Sequence, residues 1–189
     1  MIKPDIDKKG NIHFSDYPEF KPNLTPQQIF EMGSFGGTYW RPIYSSITKK
    51  NYKNEHLKFP KEWWEKIEDS MLISEKYNSK INKYKISCGS KLKDWESSGW
   101  IKKYDPYGWI QWYCNFFLGR RGKTINEIEY DEYQISRWLK FASEKGRFRK
   151  QLINKIKKNN TTYDDYSISP RIRQSLQHWA YKLTKEDVL

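Results

Sequence analysis

Cysteine, histidine and long apolar runs are scarce in this 189-residue chain. Its two cysteines, Cys88 and Cys114, stand in unrelated contexts, and its three histidines are scattered. That spacing excludes the close Cys/His clusters of structural zinc sites, and no metal is expected. The pair of thiols reads as two buried groups in a reducing compartment rather than as a disulfide. No apolar run approaches the ~18 residues of a membrane span. The opening "MIKPDIDKKG" is polar where a secretory signal is apolar. A soluble intracellular protein, in cytoplasm or nucleus, without a membrane partner, is the expectation.

Hydrophobic residues make up only 37% of the chain, yet aromatics reach 17%, with nine Trp and fourteen Tyr. A disordered chain would lack those rings. A chain of this length buries roughly 70% of its unfolded surface, enough for one unstapled core. The core is therefore expected to hold few but large side chains.

Charge is abundant and one-sided, at +12 net. Lysine is spread along the chain, whereas seven of the eight arginines fall between Arg120 and Arg173. Residues 119–173 hold 14 basic against 7 acidic side chains, and residues 145–158 hold seven basic and no acidic ones. Such concentration fits a polyanionic partner better than a general solubility device.

Local signals outline several helices. In "TPQQIFEMG", Thr25 caps, Pro26 takes the first turn and Gly33 stops. Gly36-Gly37 then make a tight turn, followed by an extended segment interrupted by Pro42. "FPKEWWEKIEDS" predicts a helix from Pro60, with Trp63, Trp64 and Ile67 on its apolar face. Residues 75–90 read as a short strand or a loop. Ser90 is placed to cap "KLKDWESSG". "DPYGWIQWYCNFFLG" predicts a helix opened by Asp105-Pro106, closed by Gly119 and apolar nearly all round, as a buried helix is. Only Gln111 and Asn115 form a narrow polar stripe on it. Asp131, with Gln134, reads as the capping box of the next helix. "RFRKQLINKIKKNN" follows as another, and "NNTTYDDYS" as a linker. Ser169-Pro170 starts the last helix, with Ile172, Leu176, Trp179 and Leu183 on one stripe.

The motifs "GSFGGTYWRPI", "WESSGWI", "DPYGWIQWYCNFFLGRR", "QISRW", "GRFRKQL" and "SPRIRQSLQHWAY" together resemble a widespread family of uncharacterised proteins from microbial eukaryotes and large DNA viruses. The similarity covers roughly residues 30 to 185. That family has no established activity, so the resemblance implies one structural unit and supplies neither a mechanism nor a site.

Candidate sites are weighed from the residues. Arg120, Arg121, Arg137, Arg147, Arg149, Lys150, Arg171 and Arg173 form the basic candidate face, because a guanidinium binds phosphate in bidentate fashion and stacks on bases. A solvated face ion-paired to Glu127, Glu129, Asp131 and Glu132 is the plainer alternative. The "GSFGGTYWRP" turn, with Arg41 beside it, lacks the Lys-Ser/Thr of a phosphate loop and reads more readily as structure. His178 is a candidate general base or acid, although a lone helical histidine more often serves structure. Gln111 and Asn115 either satisfy partners within the fold or line a pocket.

These features lead to a mainly α, Trp-rich single domain over residues 25–189, with short extended segments in its N-terminal half. Residues 1–24 form an irregular lead-in. The expected function is nucleic-acid binding, through arginines for phosphates and aromatics for base stacking, with no catalytic metal or cofactor. Two alternatives belong to other classes. One is an enzyme acting on a nucleic acid or a phosphorylated small molecule where Gln111, Arg120 and His178 converge. The other is an adaptor that grips an acidic partner.

Overall fold

The computed structural model describes residues 2–189. Among these described residues, six α-helices, four 3₁₀ turns and three two-stranded antiparallel hairpins follow one another. With 36% of residues helical and 9% in strands, helix predominates in a mixed, loop-rich domain, so the mainly α expectation holds only in part. The difference lies in residues 35–90, where aromatic anchors are placed by turns instead of helices.

The lead-in is shaped by two strands, β1 (Asp5–Ile6) and β2 (Ile12–His13), which pair Asp5 with His13 and Ile6 with Ile12. Asp7 organises their loop by accepting from the Lys9 and Asn11 N–H groups at 2.8 and 2.9 Å. Beyond it, Phe14 and Phe20 are buried in the aromatic core. Helix α1 (Pro26–Glu31) is capped by Thr25 as expected, and Gln28 completes a capping box with it.

A 3₁₀ turn (Phe35–Gly37) leads to β3 (Ile43–Ser45), which pairs with β4 (Lys50–Tyr52). The stretch after Pro60 is not one helix but two 3₁₀ turns, Lys61–Trp63 and Asp69–Met71. Adjacent tryptophans on an α-helix point about 100° apart, and here both are used. Trp64 packs on Phe30, at 5.5 Å between ring centroids, while Trp63 packs on Phe59 and Phe117. Two anchors aimed at different parts of the core override helix propensity. Residues 75–90 are irregular, without a strand.

Helix α2 (Leu92–Ser97) starts one residue later than Ser90 predicted: Asp94 accepts from the Lys91 N–H, and Ser90 Oγ accepts from Trp95 Nε1. Helix α3 (Trp109–Phe117) is the core, with Trp112, Tyr113, Cys114 and Phe116 fully buried. Its cap is Gly108 rather than Asp105, which is released for another role.

The hairpin β5 (Thr124–Ile125) and β6 (Ile128–Glu129) turns on Asn126 and Glu127, both at positive φ. It delivers the chain directly into α4 (Tyr130–Phe141), so Glu129 is the cap, accepting from the Glu132 N–H at 2.8 Å. Asp131 thereby turns inward instead of capping. Gly146 links α4 to α5 (Arg147–Lys158), and α6 (Pro170–His178) closes the fold. Helix α6 ends before the expected stripe does, because Ala180 takes φ 54 and turns the chain. Its buried face is mostly polar: Arg173, Gln174, Gln177 and His178 surround Leu176.

Trp109, Trp112 and Trp138 share one cluster with Phe20, while Trp179 flanks it half-buried, 4.9 Å from Trp109. No helix among the described residues is long and apolar enough to cross a membrane.

Candidate functional site

The arginines divide into two groups according to what their guanidinium groups touch. Arg120 is bonded through both terminal nitrogens to Asp105, which is fully buried, and Asn115 Nδ2 donates to the same carboxylate at 2.9 Å. Burial pushes the Asp105 carboxyl up, and the hydrogen bonds and charge of Arg120 act against that. The polar stripe of α3 is thus satisfied internally, because Gln111 Oε1 accepts from the Tyr107 N–H at 2.9 Å. Arg121 reaches Asp16 at 2.7 Å and lies 3.4 Å from the centre of the Phe116 ring. Arg149 pairs with Asp187, which also accepts from the Tyr181 hydroxyl. Arg173, only 4% exposed, donates to the carbonyls of Tyr163, Asp165 and Ile168 and ties the 159–167 linker to α6. Arg137 donates to Gln134 Oε1 at 3.0 Å and lies among the rings of Trp100, Tyr133 and Trp179. A phosphate would have to displace these partners.

Arg147 and Lys150 stand differently. Both are exposed on α5, and with Lys140, Lys145, Lys155 and Lys158 they line one shallow groove. Gln151 and Asn154 complete it, no carboxylate contributes to it, and none of the six cations makes an ion pair among the described residues. The charge run at 145–158 already marked this face. Its lysines, undervalued beside the arginines, supply five of the six charges. Arg171 is exposed elsewhere, at the start of α6 near Cys88.

A second basic surface carries aromatic rings. Trp100 is 44% exposed, and Tyr104 and Tyr133 are half-buried. Lys102 Nζ lies 5.2 Å from the Tyr133 ring centre, and Lys103 and Lys123 lie 5.0 and 5.8 Å from that of Tyr104. Tyr133, Arg137 and Lys140 occupy positions i, i+4 and i+7 of α4, one face of a helix. That stripe leads from the rings toward the α5 groove.

His178 is 9% exposed and its imidazole is driven down to about 3 by burial. Its Nε2 accepts from the Phe35 N–H at 3.2 Å, and its ring stacks on Phe35 with centroids 3.8 Å apart. Neutral with its proton on Nδ1, it supports the glycine turn rather than moving protons near neutral pH. Gln177 assists by donating to Gly33 O and Ser34 Oγ, both at 2.8 Å, and Asn82 Oδ1 accepts from Gly36 N–H. The turn's amides are therefore consumed inside the fold and form no nest for phosphate.

The turn instead walls a cleft of about 460 Å³ between itself, residues 87–91 and α2. Arg41 lines this cleft, whereas Gln111, Asn115, Arg120 and His178 do not. Gln111 and Arg120 are linked through Asn115 and Asp105, His178 holds a separate network, and the three do not converge on a pocket. No group of three or more His, Cys, Asp or Glu that could hold a metal occurs among the described residues. No family model, curated protein or solved structure matches the chain.

Proposed function

We propose that this protein binds nucleic acid along the outer surface of α4 and α5. The observation that carries the reading is the groove of six unpaired cations, Lys140, Lys145, Arg147, Lys150, Lys155 and Lys158, with no carboxylate among its lining residues. Like charges gathered without counter-ions repel one another, and a polyanion relieves that repulsion while releasing its own condensed counterions. The phosphate contacts fall mainly to lysine, which acts as a point charge without reading sequence.

Bases are assigned to the neighbouring surface of Trp100, Tyr104 and Tyr133, where Lys102 lies over the Tyr133 ring, Lys103 and Lys123 over that of Tyr104, and Arg137 over that of Trp100. Base–aromatic stacking is sequence-tolerant, so the preferred partner is a single strand. The test is a titration of single-stranded and duplex oligonucleotides at low and rising salt. Binding should fall by roughly 0.7–0.9 log units per decade of salt for each phosphate neutralised. Absence of binding to either form at low salt overturns the proposal.

A further inference from the structure

The cleft behind the glycine turn gathers several rings around one arginine. Phe35, Tyr39, Tyr77, Trp95 and Tyr107 contribute aromatic walls, and Arg41 is set among them. At about 460 Å³ the cleft lies within the range of roughly 300–1,000 Å³ usual for small-ligand sites, which combine apolar walls with few polar groups.

Three observations make it a built site rather than a gap. First, its floor is rigid and satisfied: the Tyr39 hydroxyl donates to Tyr107 O at 2.7 Å and accepts from the Gln111 N–H at 2.9 Å. Second, Phe35 holds φ 54, a left-handed conformation uncommon for a phenylalanine. His178 and Asn82 fix it there from behind, through the amides of Phe35 and Gly36. Strain retained against such a cost is characteristic of ligand clamps. Third, Arg41 is half-buried and makes no ion pair; its Nη1 donates to Thr38 O at 2.7 Å. The carboxylates at the cleft do not neutralise it. Asp94 is engaged by the Lys91 N–H, and Glu75 is exposed without an ion pair. Flat rings favour a flat ligand by stacking, and a guanidinium among them favours an anionic group.

We infer that the cleft between the glycine turn and α2 binds a planar ring carrying a phosphate, the chemistry of a nucleoside monophosphate, with Arg41 as its phosphate contact. The ligand's source is either a free mononucleotide or the phosphorylated end of a strand. This site shares no residue with the α5 groove and stands independently of strand binding there.

The experiment is calorimetric titration of the whole protein with adenosine and uridine monophosphates, then with adenosine and inorganic phosphate separately. A short oligothymidylate with and without a terminal phosphate forms the second arm. Arg41→Gln should weaken mononucleotide binding roughly ten- to hundredfold, the loss of a hydrogen bond to a charged group. Ser87→Trp, at an exposed lining position, should block the cleft without touching Thr38. Lys150→Glu should leave mononucleotide affinity unchanged. Binding of the phosphorylated strand alone, still dependent on Arg41 and blocked by Ser87→Trp, assigns the cleft to strand ends. The inference is overturned if neither monophosphate nor terminal phosphate gives Arg41-dependent binding, or if Ser87→Trp, folded by its melting curve, binds as the parent does. Failure of the oligonucleotide to bind through α5 would leave the mononucleotide arm standing.

Discussion

The indole Nε1 of Trp112 donates to the Asp131 carboxylate at 2.7 Å, joining the middle of α3 to the first turn of α4 in the interior. The other Asp131 oxygen has no partner. Asp131→Asn should therefore be tolerated, since the amide keeps an acceptor for the indole. Asp131→Ala leaves the Trp112 N–H unpaired and should destabilise by about 1–3 kcal/mol. Trp112→Ala, which empties the centre of the core, should lose about 3–5 kcal/mol. Urea unfolding midpoints check the order of the three.

Arginine substitutions should separate stability from affinity. Arg120→Ala leaves Asp105 buried and unpaired, and should destabilise the fold by about 3–5 kcal/mol. Lys150→Glu and Lys155→Glu should scarcely alter the melting temperature while lowering the steepness of the salt dependence by about one contact or more each. Equal losses of oligonucleotide affinity in folded Arg120→Ala and in Lys150→Glu would contradict this division.

Stacking has its own signature. Trp100→Ala should weaken single-strand binding by about 1–3 kcal/mol and leave duplex binding nearly unchanged. Comparing the two affinities within one variant reads this out, and an equal effect on both forms would remove Trp100 from the stacking role.

Acid should loosen the domain through His178. Its folded-state pKa is lowered to about 3 from 6.5, so between those values the unfolded chain binds the extra proton. Stability contributed by the neutral imidazole is present above pH 6.5 and lost as pH falls toward 3. The slope from this group approaches about 1.4 kcal/mol per pH unit. In His178→Asn the unfolding free energy should depend less on pH between about 5 and 6. A parent imidazole that titrates near 6.5 by NMR would contradict the burial.

The glycine turn offers a paired comparison. A Cβ on Gly37, at φ +79, would lie 2.1 Å from Ser70 O, so Gly37→Ala should destabilise by more than about 1 kcal/mol. Gly89 has φ +89 but open space around it, and its alanine variant should be the milder of the two. Thermal melts of both decide.

Where local chemistry governs, the chain was readable in advance. The Thr25 cap, the Gly119 stop and the all-round apolar α3 depend on neighbours within one turn, and they stand as the pattern predicts. Where tertiary partners compete, pattern misled. Asp105 and Asp131 have the spacing of caps but serve Arg120 and Trp112, since hairpin β5–β6 and Gly108 set the helix starts. The cluster of arginines was visible, but not that Arg120, Arg121 and Arg149 would meet aspartates 15, 105 and 38 residues away. The cleft was legible only at Arg41, because its other walls come from segments far apart in sequence, several of them irregular, that only the fold brings together.

The polar bonds linking Gln177 to Ile29, Gly33 and Ser34, with the Ala180 carbonyl accepting from Asn23 and Leu24, also bear on biosynthesis. Domains that emerge N-terminus first fold during translation only if their early segments find early partners. Here α1 and the glycine turn wait for residues near 180, and such distant pairing is slow to close. On the ribosome α1 and the glycine turn lack these particular partners until residues near 180 have been made.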